Sequence, residues 1–71
     1  MNQKAAEYQN QKLQDDAMQS ELFAIMQADG AQFAHHMARK TGFETATVRW
    51  HLREMQKRGE IRFRAGWGYM V

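Results

Sequence analysis

The sequence predicts a mainly α domain with a small β-hairpin, an α+β fold of three helices followed by two short strands. Three observations predict it. The first 29 residues contain neither Gly nor Pro and are rich in strong helix formers. Two further stretches place apolar residues at helical spacing, and each runs into a glycine, Gly42 or Gly59. From Ile61 onward the order Ile61, Arg62, Phe63, Arg64 alternates apolar with charged, and Gly66 and Gly68 then punctuate it.

The elements follow in order. Asp16 with Gln19 three residues later fits a capping box, and Met18, Leu22, Ile25 and Met26 fall on one helical face before Gly30. The first helix is therefore expected over residues 16 to 28. Residues 1–15 form a polar, Gln-rich segment that either frays as a tail or extends this helix backward. Phe33, Ala34, Met37 and Ala38 predict a second helix of about two turns. It lacks a favoured N-cap, and Gly42 is its left-handed stop. A third helix is expected from Thr45 to Arg58, with Val48, Leu52 and Met55 inward. Ala46, Trp50, Arg53 and Lys57 point the opposite way with Arg49 on the flank. In the hairpin, setting Ile61 opposite Val71 and Phe63 opposite Tyr69 puts these four apolar side chains on one face. That register needs an odd loop of three or five residues, leaving Arg62 and Arg64 outward and Trp67 at the turn.

Seventy-one residues leave room for one small domain, here residues 16–71. The absence of cysteine removes disulfide scaffolds, thiol catalysis and zinc ribbons, and fits a reducing cytoplasmic setting. No apolar run approaches the length that spans a membrane, and the opening MNQKAAEYQNQK lacks the apolar stretch of a signal peptide. The formal charge of +2 conceals a polarised distribution. Residues 1–30 set Lys4 and Lys12 against Glu7, Asp15, Asp16, Glu21 and Asp29, a net of −3. Residues 31–71 set eight Lys and Arg against Glu44, Glu54 and Glu60, a net of +5. Such a split is the footprint of one half meeting a polyanion, although a solvated charged face is the plainer reading.

Other chemistry does not assemble. Ser20 is the one serine, with no His and Asp at triad spacing, and there is no Gly-rich phosphate loop. The chain is read as a binding module rather than an enzyme, with no cofactor. His35 and His36 are consecutive, so on a helix they diverge, and no acidic cluster joins them as metal ligands. His51, near the edge of the inward face of the third helix, is expected to be a packed, hydrogen-bonded imidazole. The methionines read as core filling.

The stretch AHHMARKTGFETATVRWHLREMQKRGEIRFRAGWGYMV, residues 34 to 71, resembles a winged helix-turn-helix domain of the bacterial transcription-regulator type. Met37-Ala38, the Gly42-Phe43 turn, Thr47-Val48, Leu52, Met55, Gly59 and Ile61 carry the resemblance, and the small size is similar to that of fimbrial-operon regulators. Glu44 departs from the usual Ser N-cap, and Trp50 stands where a polar residue is commoner. The resemblance implies a small transcriptional regulator in the cytoplasm, at the nucleoid, binding double-stranded DNA in a sequence-specific way. Its third helix enters the major groove and its wing touches the minor groove or backbone. Base contacts fall to Thr45, Ala46, Arg49, Trp50 and Arg53, with Arg49 or Arg53 able to fork onto guanine. Phosphate or wing contacts fall to Lys40, Thr47, Lys57, Arg58, Arg62, Arg64 and Trp67.

The competing expectation is a winged helix that docks a protein through Trp50 or Trp67, or acts as co-regulator of a larger DNA-bound protein. A homodimer through the N-terminal helix is a further candidate, since Ala6, Leu13, Ala17, Ala24 and Ala28 would align opposite the core stripe. Its alternative is a frayed tail and a monomer.

Overall fold

The computed structural model describes the backbone of residues 3–71 and the side chains of residues 12–71. Helix α1 spans Gln3–Asp29, α2 Ala34–Thr41 and α3 Thr45–Lys57, and strands β1 Arg62–Arg64 and β2 Gly68–Met70 form an antiparallel hairpin. This is the expected three-helix α+β arrangement with a winged-helix-like topology.

The first helix differs from expectation in its start. It runs without interruption from Gln3, so Asp16 and Gln19 are interior residues and form no capping box. Nothing in the sequence before Asp16 breaks a helix, and at about 1.5 Å per residue the 27 residues reach roughly 40 Å. In the stripe expected to be core, Leu22 and Met26 are buried, whereas Met18 and Ile25 are half-buried.

The second and third helices follow their predicted phases. Helix α2 begins after Phe33, whose side chain makes no cap, and buries Ala34, Met37 and Ala38. It ends where Gly42 takes φ 81° and donates its N–H to the Ala38 carbonyl (2.9 Å), a left-handed stop that a Cβ would strain. The Thr41 hydroxyl donates back to the Met37 carbonyl (2.8 Å) and accepts from the Phe43 N–H (3.2 Å), tightening the turn into α3. Helix α3 starts at Thr45 after an uncapped Glu44 and stops one residue short of Arg58, which is its C-cap. It buries Val48, His51, Leu52 and Met55. The core is thus Leu22 and Met26 of α1, Ala34, Met37 and Ala38 of α2, Val48, Leu52 and Met55 of α3, and Ile61. Phe23, Ile25, Phe43 and Tyr69 pack around it.

The hairpin pairs Arg62 with Met70, Phe63 with Tyr69 and Arg64 with Gly68, which is the expected register with a three-residue turn at 65–67. The expected shared apolar face is only partly covered. Ile61 is buried and Tyr69 half-buried, but Phe63 and Val71 are 48% and 47% exposed, and Phe63 instead packs on the Tyr69 ring at 5.0 Å. A two-stranded ribbon has too little body to cover both ends of its own face.

The hairpin is fastened to the rest of the domain by the α1–α2 linker. Gln32 N–H donates to the Tyr69 carbonyl (2.9 Å) and Tyr69 N–H donates to the Gln32 carbonyl (2.7 Å), adding a one-residue third strand. Gly68 permits this approach. A Cβ there would lie 2.6 Å from the Gln32 carbonyl carbon and 2.9 Å from the Phe33 nitrogen, at a φ of +101°. Gly66, at φ +83°, has open space around it. Gly68→Ala is therefore expected to cost clearly more than Gly66→Ala in urea denaturation, about 3 kcal/mol against about 1. Equal losses would show that the linker clamp adds nothing to stability.

Candidate nucleic-acid interface

The outward face of α3 and the outward face of the hairpin carry most of the sequence-predicted site residues, with Lys40 on α2 and Arg58 at the C-cap of α3. Because Val48, Leu52 and Met55 are buried, the 3.6-residue repeat turns Ala46, Arg49, Trp50, Arg53 and Lys57 to the surface. Thr45 and Thr47 are half-buried at the start of the helix, and Thr47 lines a groove with Asp15, Ala46, Trp50 and His51. Trp50 is 49% exposed, because its indole meets the His51 ring edge-on at 4.9 Å. On the hairpin, Arg62 and Arg64 are exposed, and Trp67 is 60% exposed at the turn. The Arg64 guanidinium sits 5.7 Å from the Trp67 ring centre, a cation–π pair at the tip.

The cations divide into two groups. Lys40 pairs with Asp29 and also donates to Gln32, both at 3.1 Å. Lys57 pairs with Glu54 at 3.2 Å. Arg58 forks onto Glu60 at 3.2 and 2.9 Å and donates to the Gln19 carboxamide oxygen. That Glu60 hydrogen bond raises the guanidinium pKa further, so Arg58 stays cationic. Among the described residues, Arg39, Arg49, Arg53 and Arg62 make no ion pair or side-chain hydrogen bond, and Arg64 has only its indole. The cations Lys40, Lys57 and Arg58, for which the resemblance implies phosphate contact, are thus partly neutralised within the domain, whereas Arg49 and Arg53, for which it implies base contact, are not.

His51 is the packed, hydrogen-bonded imidazole that its position suggested. It is 1% exposed, its Nδ1 lies 3.0 Å from Gln19 Nε2, and its Nε2 faces Asp15 Oδ1 at 3.8 Å. Burial lowers its pKa from the usual 6.5, and Asp15 opposes that shift. Gln19 and Asp15 did not emerge from the sequence as site residues. The available signal was helical phase, since 15, 19, 22 and 26 follow one another at spacings of four, three and four and continue the core stripe in polar form.

Contrary to the expected divergence, His35 and His36 lie with ring centres 4.2 Å apart and cluster with Phe33 at the start of α2, because both rings turn toward Phe33. Among the described residues, no three His, Asp or Glu side chains could hold a metal ion, and no helix is long and apolar enough to cross a membrane. Compared with protein-family models, with curated proteins and with solved structures, the chain matches none.

The sign of the His51 shift gives a pH dependence. The unfolded chain takes up the imidazole proton near pH 6.5 while the fold resists it, so this contribution is complete above pH 6.5 and is lost as pH falls from there through the lower value the fold imposes. In denaturation series from pH 8 to 5, the wild type should lose more stability on the acid side than His51→Asn, which has no such proton. Superimposable pH profiles would remove the buried-imidazole assignment.

Proposed function

We propose that the protein binds double-stranded DNA as a small transcriptional regulator, with α3 in the major groove and the hairpin as a wing on the neighbouring minor groove or backbone. The observation that carries this reading is the sorting of the cations. Arg49 and Arg53 on the outer face of α3, with Arg62 and Arg64 on the hairpin, have no carboxylate partner among the described residues. A folded domain gains nothing from leaving four guanidinium groups uncompensated on two elements consecutive in the chain. A polyanion would compensate all of them. Arg49 and Arg53 have the reach and geometry to fork onto guanine O6 and N7, and Ala46 and Trp50 supply apolar surface beside them for a thymine methyl or a sugar. Thr45 and Thr47 offer hydroxyls at the helix start for phosphate. Arg62 and Arg64 suit a narrow minor groove. Lys40, Lys57 and Arg58 would have to exchange an internal partner for a phosphate, so they rank below the free arginines.

On this reading the protein works at the nucleoid, in the cytoplasm. One module of this size reads few base pairs, and a homodimer would read two half-sites. The exposed row Leu13, Ala17, Ala24 and Ala28 is open to a second copy, while Ala6 lies outside the described side chains. A second reading, docking of a protein partner or a larger DNA-bound regulator, is favoured by one observation. Phe63, Trp67 and Val71 expose large apolar surface on the hairpin.

Titration of mixed-sequence duplex DNA across a salt series tests the first reading. Each phosphate neutralised contributes about −0.9 to the slope of log K against log salt, so a clear negative slope is expected, and Arg62→Ala on the wing should reduce its magnitude by about 1. Arg53→Ala should relax sequence preference at a cost of about 1–3 kcal/mol, whereas Lys57→Ala should weaken all sequences slightly and alike. No binding at low salt, or binding without a salt slope, would overturn the DNA reading and leave the docking one.

A further inference from the structure

Helix α3 buries one polar side chain, His51, which a hydrogen bond ties to α1 and a ring contact joins to the surface indole beside it. A guanidinium can only donate, so Arg58 fixes the Gln19 carboxamide with its oxygen toward Arg58 and its nitrogen toward α3. The Gln19 Nε2 then donates to His51 Nδ1 at 3.0 Å, which makes Nδ1 an acceptor. His51 is consequently the neutral tautomer that carries its proton on Nε2, the nitrogen facing Asp15 at 3.8 Å. The ring so fixed meets the Trp50 indole edge-on at 4.9 Å and an interplanar angle of 81°. Asp15, Ala46, Thr47, Trp50 and His51 together line the groove between α1 and α3.

We propose that Gln19 is a positioning residue for the DNA-facing surface: acting through His51, it holds the Trp50 indole toward α1, so that α1 shapes the recognition face without touching DNA. This rests on the duplex-DNA reading of α3. The same carboxamide keeps Arg58 turned back onto α1. A second proton on His51, at Nδ1, would set two donors face to face. Relief requires the Gln19 amide to rotate, which points its NH2 at Arg58 and breaks that bond as well. Asp15 is the charge facing the ring from α1, and Arg58 acts on it through Gln19. Among the described residues, α2 and the hairpin place no charged side chain in hydrogen-bond or ion-pair contact with His51.

The chain has two tryptophans, so Trp67→Phe leaves Trp50 as the sole indole reporter. An imidazolium quenches a touching indole. Trp50 emission is expected to stay constant above neutral pH and to fall on acidification with a midpoint below 6.5, the usual histidine value. Adding Gln19→Glu supplies a carboxylate that accepts from Nδ1–H, and the midpoint should rise by about one unit or more. The Trp67→Phe titration involves no change at Gln19 and so survives any folding defect of the Gln19 variants. In parallel, Gln19→Leu in the otherwise unaltered chain should weaken duplex binding at pH 7.5 roughly three- to tenfold, the scale of one net hydrogen bond, with helix content unchanged. Combining it with Trp50→Ala should bind no more weakly than Trp50→Ala alone. Additive losses would overturn positioning through Trp50, and a midpoint that Gln19→Glu fails to move would overturn the Gln19–His51 coupling. A wild type that binds no duplex, with the midpoints moving as expected, would instead sink the DNA reading while leaving that coupling intact.

Discussion

The rotational phase of α3 governs what the domain shows to its surroundings, and that phase is set by burial. Val48, Leu52 and Met55 are essentially inaccessible, and they share the core with Leu22, Met26 and Met37. Each such side chain contributes about 1.5–3 kcal/mol on leaving water. In a chain of 71 residues these few residues make up most of the core, so no other rotation of α3 competes. Once the inner stripe is fixed, the helical repeat leaves Arg49, Trp50 and Arg53 no option but the surface. Their identities are then free of folding constraints and open to whatever the surface binds.

Charge follows from the same geometry. The exposed pairs Lys40–Asp29, Lys57–Glu54 and Arg58–Glu60 are each worth at most about 1 kcal/mol in water. They do little for stability, but they lower the local positive potential at the edges of the face. The guanidinium groups of Arg49, Arg53 and Arg62 are not trimmed in this way. Fields from exposed charges fade over about 10 Å at moderate salt, so carboxylates that pair with none of them trim them less than a direct ion pair would. The modest net charge of +2 therefore coexists with exposed guanidinium groups on α3 and the hairpin that no described carboxylate pairs.

Features set by local periodicity were legible in the sequence. The inward stripe of α3, the left-handed stop at Gly42 and the pairing of Phe63 with Tyr69 each depend on residues a few positions apart. Two kinds of feature were not legible. The Asp16–Gln19 pair satisfies the local rule for a helix start, yet Gln19 spends its carboxamide on His51 and Arg58, 32 and 39 positions away. No local rule foresees a partner at that distance. The pairing of Lys40 and Arg58 was hidden for a related reason. Lys57 and Glu54 stand at i,i+3 on one helix, a spacing the sequence does show, but Lys40 with Asp29 and Arg58 with Gln19 meet across 11 and 39 positions, which only the folded chain brings together. Hairpin parity likewise gives the face of Phe63 and Val71 but not their depth, since depth depends on what passes above them.

Helix α1 links these parts, because both outward-facing elements are tied to it. Gln19 reaches α3 near its middle and end, and the linker that leaves α1 at Gly30 continues to Gln32, which pairs with Tyr69 on the wing. Two strands of three residues would be marginal on their own in water. The Gln32 clamp, with Ile61 buried in the core, gives the hairpin a fixed seat from which Arg62 and Arg64 project. A surface ordered before contact has less conformational freedom to lose on binding, and each long side chain or loop immobilised at that moment costs about 0.5–1.5 kcal/mol. Holding α3 and the hairpin to one long helix would lower that cost on both elements at once if the proposed duplex contact is made through them, which is how so small a core could serve two elements.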